Sequence, residues 1–144
     1  MTKIALDELT LLQVRRLNRL LAWLPRFKVA NRFTAALVQA LLRVSQIGAD
    51  GRLRRRGVRI AQALAEADGL QVPVRVLRPA GPVRAVVFDI HGGGWVIGNP
   101  RLDDPHNAAL INACQVAVVA VDYRLLPRAS LQASMDDCLA AARW

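Results

Sequence analysis

His91 is followed by Gly92, Gly93 and Gly94 and then by Trp95, at the end of an apolar run made of Val86, Val87, Phe88 and Ile90. Three successive residues without Cβ let the backbone turn sharply and approach a ligand closely, with N–H groups that no strand ladder uses pointing into a cleft. Such amides are what a carbonyl oxygen needs when it gains negative charge during acyl transfer. A glycine-rich turn after a buried strand can equally do no more than reverse the chain. Spacing argues against nucleotides. A dinucleotide fingerprint needs glycine at its first, third and sixth positions, but counting from Gly92 the sixth is Ile97, and no Walker-type Gly-Lys-Ser/Thr follows.

Two further clusters lie downstream. Asp122-Tyr123-Arg124-Leu125 follows a second apolar run, and Asp136-Asp137-Cys138 falls in a helical pattern. In this order, His91-Gly92-Gly93-Gly94-Trp95, then the Asp-Tyr-Arg-Leu stretch, then Asp-Asp-Cys, the sequence resembles the hormone-sensitive-lipase-like branch of the α/β-hydrolase esterases and lipases. The resemblance covers about residues 70–144, and the HGGG element is an oxyanion-hole signature of lipases and esterases.

The resemblance implies an α/β architecture, the N-terminal part of an α/β-hydrolase fold and incomplete. A helical cap-forming segment over residues 1–68 would precede the first strands of a mostly parallel sheet with crossover helices over residues 69–144. It implies a carboxylester hydrolase acting by serine acyl transfer on a small-molecule ester, with no metal and no organic cofactor. Gly93 and Gly94 would donate to the oxyanion, Gly92 would shape the turn and His91 would support the loop. Trp95 would pack under the loop or contact substrate. Asp122, Tyr123 and Arg124 would buttress the loop, the plainer reading being a strand-end turn with a snorkelling arginine.

The sequence departs from that pattern after Leu125. Leu126-Pro127-Arg128 stands where Ala-Pro-Glu is common, and Leu131-Gln132 where an aromatic-proline pair is usual. These residues also contain no G-x-S-x-G: Ser45, Ser130 and Ser134 are not flanked that way, and His106 comes too early to be the triad histidine. Nucleophile, acid and histidine are therefore expected outside residues 1–144, and the chain alone is expected to be inactive. Two other classes remain in view: a truncated, non-catalytic interaction module that binds a lipid surface or a partner chain, and one half of a split esterase. Uncovered sheet edges would favour self-association or a complementing chain.

The elements that must position these residues follow from periodicity. Residues 6–24 place Leu6, Leu9, Val14, Leu17, Leu21 and Leu24 at helical spacing, and Pro25 ends the pattern. Residues 31–46 predict a second helix with Phe33, Leu37, Ala40, Leu41, Val44 and Ile47 on its inner side. Residues 51–57, with four arginines, read as a loop or an exposed first turn. A third helix is expected over 58–67, ended by Asp68-Gly69. Val72, Val74 and Val76 alternate as a strand on which Pro73 implies an edge or a start. Strands at 84–90 and 116–121, both of the kind buried on two faces, flank a helix at 103–113 and so predict a parallel crossover. A final helix at 131–144 would turn Met135, Cys138, Leu139 and Ala142 inward.

The formal charge of +9 is unevenly placed. Residues 1–66 hold 13 Lys/Arg against 4 Asp/Glu, and residues 67–144 hold 7 against 7. The arginines have few aromatic neighbours and no zinc-ligand spacing, so nucleic acid is not expected as a partner. A basic amphipathic N-terminal helix could lie on a membrane surface, but packing on protein is the commoner fate of such a face, and an Arg-rich solvated face the commoner one for the charge. Cys114 and Cys138 make no disulfide framework and read as small core residues. The first residues lack the apolar core of a secretory signal, no apolar run is long enough to span a bilayer, and a cytoplasmic protein is the default expectation.

Overall fold

The computed structural model describes residues 8–23 and 31–144, which fall into two compact units divided between residues 30 and 31. The first holds α1 (Glu8–Trp23), with Val14, Leu17 and Leu21 along one side and Arg15, Arg16 and Arg19 along the other. The expected helix ends at Leu6 and Leu24, and Pro25, lie outside the described residues. No helix among the described residues is long and apolar enough to cross a membrane.

The second unit opens with α2 (Arg32–Ser45). Asn31 caps it by accepting hydrogen bonds from the amides of Phe33 and Thr34, and Thr34 Oγ1 accepts from the Asn31 amide in return. The inner face is not the expected one. Phe33, Leu37, Leu41, Val44 and Ile47 are exposed, and the stripe turned inward is Ala35, Val38, Gln39 and Leu42. The arginine-rich stretch expected as a loop or an exposed helical turn is helical, α3 (Ala49–Arg55), because Ala49 and Leu53 bury one side of the turn while its arginines point to solvent.

The helix expected over 58–67 is a strand, β1 (Arg59–Ala67), paired antiparallel with β2 (Leu70–Arg78) through the two-residue turn Asp68-Gly69. Both turn residues have positive φ, 52° and 73°, the conformation that matches a tight hairpin to strand twist. The alanine, leucine, glutamine and glutamate of β1 favour a helix locally, and ladder pairing to β2 overrides them. The helical segment expected over 1–68 thus stops at α3. Pro73 lies on no edge: β2 is flanked by β1 and by β4 (Val116–Val121). The proline is tolerated because it sits just past the last β2–β4 ladder pair, Val74 with Val121, where its carbonyl accepts the Asp122 amide at 2.9 Å.

β3 (Ala85–Asp89), α4 (Asp104–Cys114) and β4 form the expected parallel crossover, and the sheet order is β1-β2-β4-β3. With two antiparallel pairs and one parallel pair the sheet is mixed rather than mostly parallel. α5 (Leu131–Arg143) packs on the face that carries Val72, Val74, Val121 and Tyr123. α3 and α4 cover the opposite face, built around Leu53, Leu77, Ile111 and Val118. α5 buries Ser134, Asp137, Cys138, Ala140 and Ala141, not Met135, Leu139 and Ala142, because the polar pair Ser134 and Asp137 is taken inward by partners at the end of β4. Cys138 is buried as expected, whereas Cys114, at the last turn of α4, is exposed.

β4 is covered on both faces as predicted, but β3 is the outer strand of these four, and Val86 is 65% exposed. The two positions separate core from edge in a urea titration. Leu77, 0% exposed, leaves a cavity when cut to alanine, and Leu77→Ala should lower stability by about 2–5 kcal/mol. Val86→Thr should change it by no more than about 0.5 kcal/mol.

Candidate active site

The loop after β3 is shaped by close backbone packing. φ is 125° at Gly93, 61° at Gly94 and 121° at Gly98, and Trp95 joins them at 64°, a value uncommon outside glycine. A Cβ on Gly93 would lie 1.8 Å from the Ile97 carbonyl oxygen, and one on Gly98 2.4 Å from His91 Nδ1. Gly92 has open space around it. The Gly93 carbonyl accepts the amides of Val96 and Ile97, closing the turn. Among the described residues no protein acceptor takes the amides of Gly92, Gly93 or Gly94. Gly92 and Gly94 are exposed and Gly93 is half-buried.

Contacts along its length hold this loop. His91 is 3% exposed, and its ring stacks on Tyr123 with centroids 4.3 Å apart. The Tyr123 hydroxyl donates to the His91 carbonyl at 2.7 Å, and His91 Nδ1 lies 2.9 Å from the Gly92 carbonyl, to which it can only donate. Trp95 also packs on Tyr123, its ring centroid 5.2 Å away and tilted by 59°. At the far end, the Gln39 side chain takes both backbone groups of Gly98, donating to its carbonyl at 2.7 Å and accepting its amide at 2.9 Å. Asn107 of α4 donates to the Asp89 carboxylate at 2.7 Å and so fixes the end of β3.

Behind Tyr123, Arg124 grips Asp137 of α5 with two nitrogens, Nε at 2.8 Å and Nη2 at 2.7 Å, while its amide donates to the same carboxylate at 2.9 Å. Ser134 donates to the Arg124 carbonyl at 2.6 Å. The Asp137 hydrogen bond and charge raise the Arg124 pKa further. Asp122 does not share in this buttress: only its backbone amide is engaged, and its carboxylate has no hydrogen-bond partner among the described residues. It stands instead where two cavities meet, of about 730 and 890 Å³, both also walled by Gln39, Arg43 and Leu125. Although exposed to cleft solvent, it is crowded by protein, and desolvation raises its pKa against the opposing pull of His91 and Arg43. Neither cavity is walled by Gly92, Gly93 or Gly94.

Beneath the first cavity lies Arg75, 2% exposed, on the β2 face turned toward α3 and α4. It binds Asp104 through Nε and Nη2 and Asp50 through Nη2. Desolvation raises the Asp104 pKa more than Arg75 lowers it. At Asp50 desolvation is again the largest single influence, but the Arg75 bond and the charges of Arg75, Arg101 and Arg54 together bring the pKa down. Among the described residues no group of three or more His, Cys, Asp or Glu gathers as a metal site would require.

Residues 87–144 match a sequence family described as having the alpha/beta hydrolase fold. The chain has the fold of the N-terminal part of an α/β hydrolase. A carboxylesterase, NlhH of Mycobacterium tuberculosis, is 42% identical over 92 residues, 60% of this chain and 28% of the relative. An arylesterase of Saccharolobus solfataricus is 32% identical over 78 residues, 54% of this chain and 26% of the relative. Among solved structures, the esterase of Pyrobaculum calidifontis superposes with a TM-score of 0.67 at 26% identity, covering 98% of this chain and 44% of the other. The chain thus spans little more than a quarter of these curated relatives and under half of that structure. The relatives are consistent with the hormone-sensitive-lipase-like esterases, and the match is to their N-terminal part.

Within this α/β-hydrolase segment the structure brings His91, Trp95 and Tyr123 together around the glycines and sets Arg124 behind them. Sequence reasoning passed over Gln39 and Gly98. The signal for Gln39 is a polar residue inside the stripe Ala35, Val38 and Leu42. For Gly98 it is a further glycine closing a short Gly-rich loop.

Two measurements probe the loop. By hydrogen exchange, Gly92→Ala should leave residues 91–98 as protected as in the parent, whereas Gly93→Ala and Gly98→Ala should loosen them. Tyr123 is the sole tyrosine, and burial pushes its pKa from 10.0 up to about 12. Tyrosinate absorbance should therefore rise near pH 12 in the folded chain and near 10 in urea. The stability Tyr123 contributes is complete below pH 10 and is lost as pH climbs toward 12.

Proposed function

We propose that residues 91–98 form the oxyanion loop of a carboxylester hydrolase that works by serine acyl transfer. In this reading an ester carbonyl sits over the loop, a serine hydroxyl attacks its carbon, and the oxygen that becomes negative accepts from the amides of Gly93 and Gly94. The turn is shaped by Gly93 and Gly98, where a Cβ would clash, and not by Gly92, which has open space; His91 holds the loop without exchanging protons with substrate. Collapse of the tetrahedral intermediate expels the alcohol, and water then hydrolyses the acyl-serine over the same amides. Nucleophile, acid and triad histidine are supplied from outside these 144 residues.

The observation that carries this reading is the pair of unengaged amides on a loop that Tyr123, Gln39 and its own glycine packing keep from relaxing. Preorganised donors of this kind need no rearrangement when charge appears, which is where most of their catalytic effect arises. Trp95 packs against Tyr123 and is half-buried, so it supports the loop first and reaches an acyl or alcohol group only with its accessible edge.

Assayed alone with a p-nitrophenyl ester, the 144-residue chain should show no turnover that a serine-directed phosphonate inhibits. Joined to a segment that supplies G-x-S-x-G with the later acid and histidine, it should gain such turnover. Gly93→Ala in the joined protein should then lower kcat by about 100-fold, with the melting temperature measured alongside to set aside unfolding. Inhibitor-sensitive turnover by the chain alone, or full kcat in the folded Gly93→Ala protein, would overturn the proposal.

A further inference from the structure

Six exposed arginines gather at the end of the sheet farthest from the glycine loop. β1 begins there at Arg59, β2 ends there at Arg78, and Arg84 leads into β3, whose other end carries the loop. Arg54, Arg55 and Arg56 close α3 just before β1. Arg59 and Arg78 are direct cross-strand partners, a placement that sets Cβ atoms about 5 Å apart and is destabilising for like charges. Among the described residues, none of these six side chains makes an ion pair or hydrogen bond. The Arg54 charge reaches Asp50, but that carboxylate is already taken by Arg75 and Arg101. A shallow cavity of about 400 Å³ opens between Arg54 and Arg59, its other walls formed by Gly57, Val58, Ile60 and Ala80.

The shape and chemistry of the face narrow its partner. Residues 52–60 and 78–84 contain no aromatic side chain, so there is no platform on which a nucleic-acid base could stack. α3 has seven residues and ends on the patch, which gives no helix to lay into a groove. What remains is a fan of guanidiniums drawn from three segments, without carboxylates among them, and suited to paired contacts with phosphate oxygens spread over a surface.

We propose that this end of the sheet docks on an anionic phospholipid surface, with Arg54, Arg55, Arg56, Arg59, Arg78 and Arg84 facing the headgroups and a phosphate lodged between Arg59 and Arg78. The Arg59–Arg78 repulsion is relieved when an anion sits between them. Because the glycine loop leaves the opposite end of β3, docking holds the loop on the solvent side, away from the bilayer. The inference does not depend on the esterase reading.

The test is co-sedimentation of the 144-residue chain with vesicles of phosphatidylcholine alone or mixed with phosphatidylserine. Binding is expected to the mixed vesicles only, to fall with added salt, and to weaken at least about tenfold in the Arg54→Gln/Arg55→Gln/Arg59→Gln/Arg78→Gln variant. The same variant should melt no lower than the parent, since these side chains are exposed and two of them repel. Equal binding to phosphatidylcholine vesicles, or binding unchanged in the variant, overturns the proposal. So does loss of binding on Arg15→Gln/Arg16→Gln/Arg19→Gln in α1 instead.

Discussion

The His91 imidazole lies flat against the Tyr123 ring, and the Gly98 backbone approaches so closely that a methyl group there would overlap Nδ1. Residues 92–98 form a loop of seven residues with four backbone positions at positive φ. Left to itself such a stretch would sample many turns, because glycine loses more conformational freedom on ordering than other residues. The buried histidine acts as a core around which the loop wraps. Its neighbours then settle which amides turn inward to the Gly93 carbonyl and which stay unengaged.

That arrangement is anchored at a distance through β4. Tyr123 lies two residues past the end of β4, and Arg124 fastens the same segment to α5 by a two-pronged contact with buried Asp137. The sheet, the covering helix and the loop brace are therefore one connected structure. On the other face Arg75 joins α3 and α4 to β2 through two carboxylates of opposite titration behaviour. A buried ion group of this kind is better evidence for a fixed relative placement of helices than for net stability.

The parts legible in the residues were those where one local signal dominates. The glycine run, the crossover from β3 through α4 to β4, and the spans of α2 and α5 follow short-range patterns that the fold leaves alone. The misreadings share another cause. β1 is composed of good helix formers and becomes a strand because Asp68-Gly69 folds it back on β2, so the turn outweighs nine residues of propensity. α2 and α5 are rotated from their most apolar side because Gln39, Ser134 and Asp137 have polar partners inside. Arg75 alternates with the valines of β2 and is nonetheless buried, because Asp50 and Asp104 on the facing helices take its guanidinium. Such partners lie far away in sequence, and a pattern of period two or 3.6 carries no trace of them.

β3 brings valines and a phenylalanine to the rim of the described sheet with neither a proline nor a lysine to blunt it. A strand of that kind makes the folded state a participant in mass action: whatever pairs along it binds the native form and not the unfolded one, and adds to stability as the logarithm of its concentration. Wherever a second strand pairs along it, the melting temperature becomes a property of the solution as much as of the molecule.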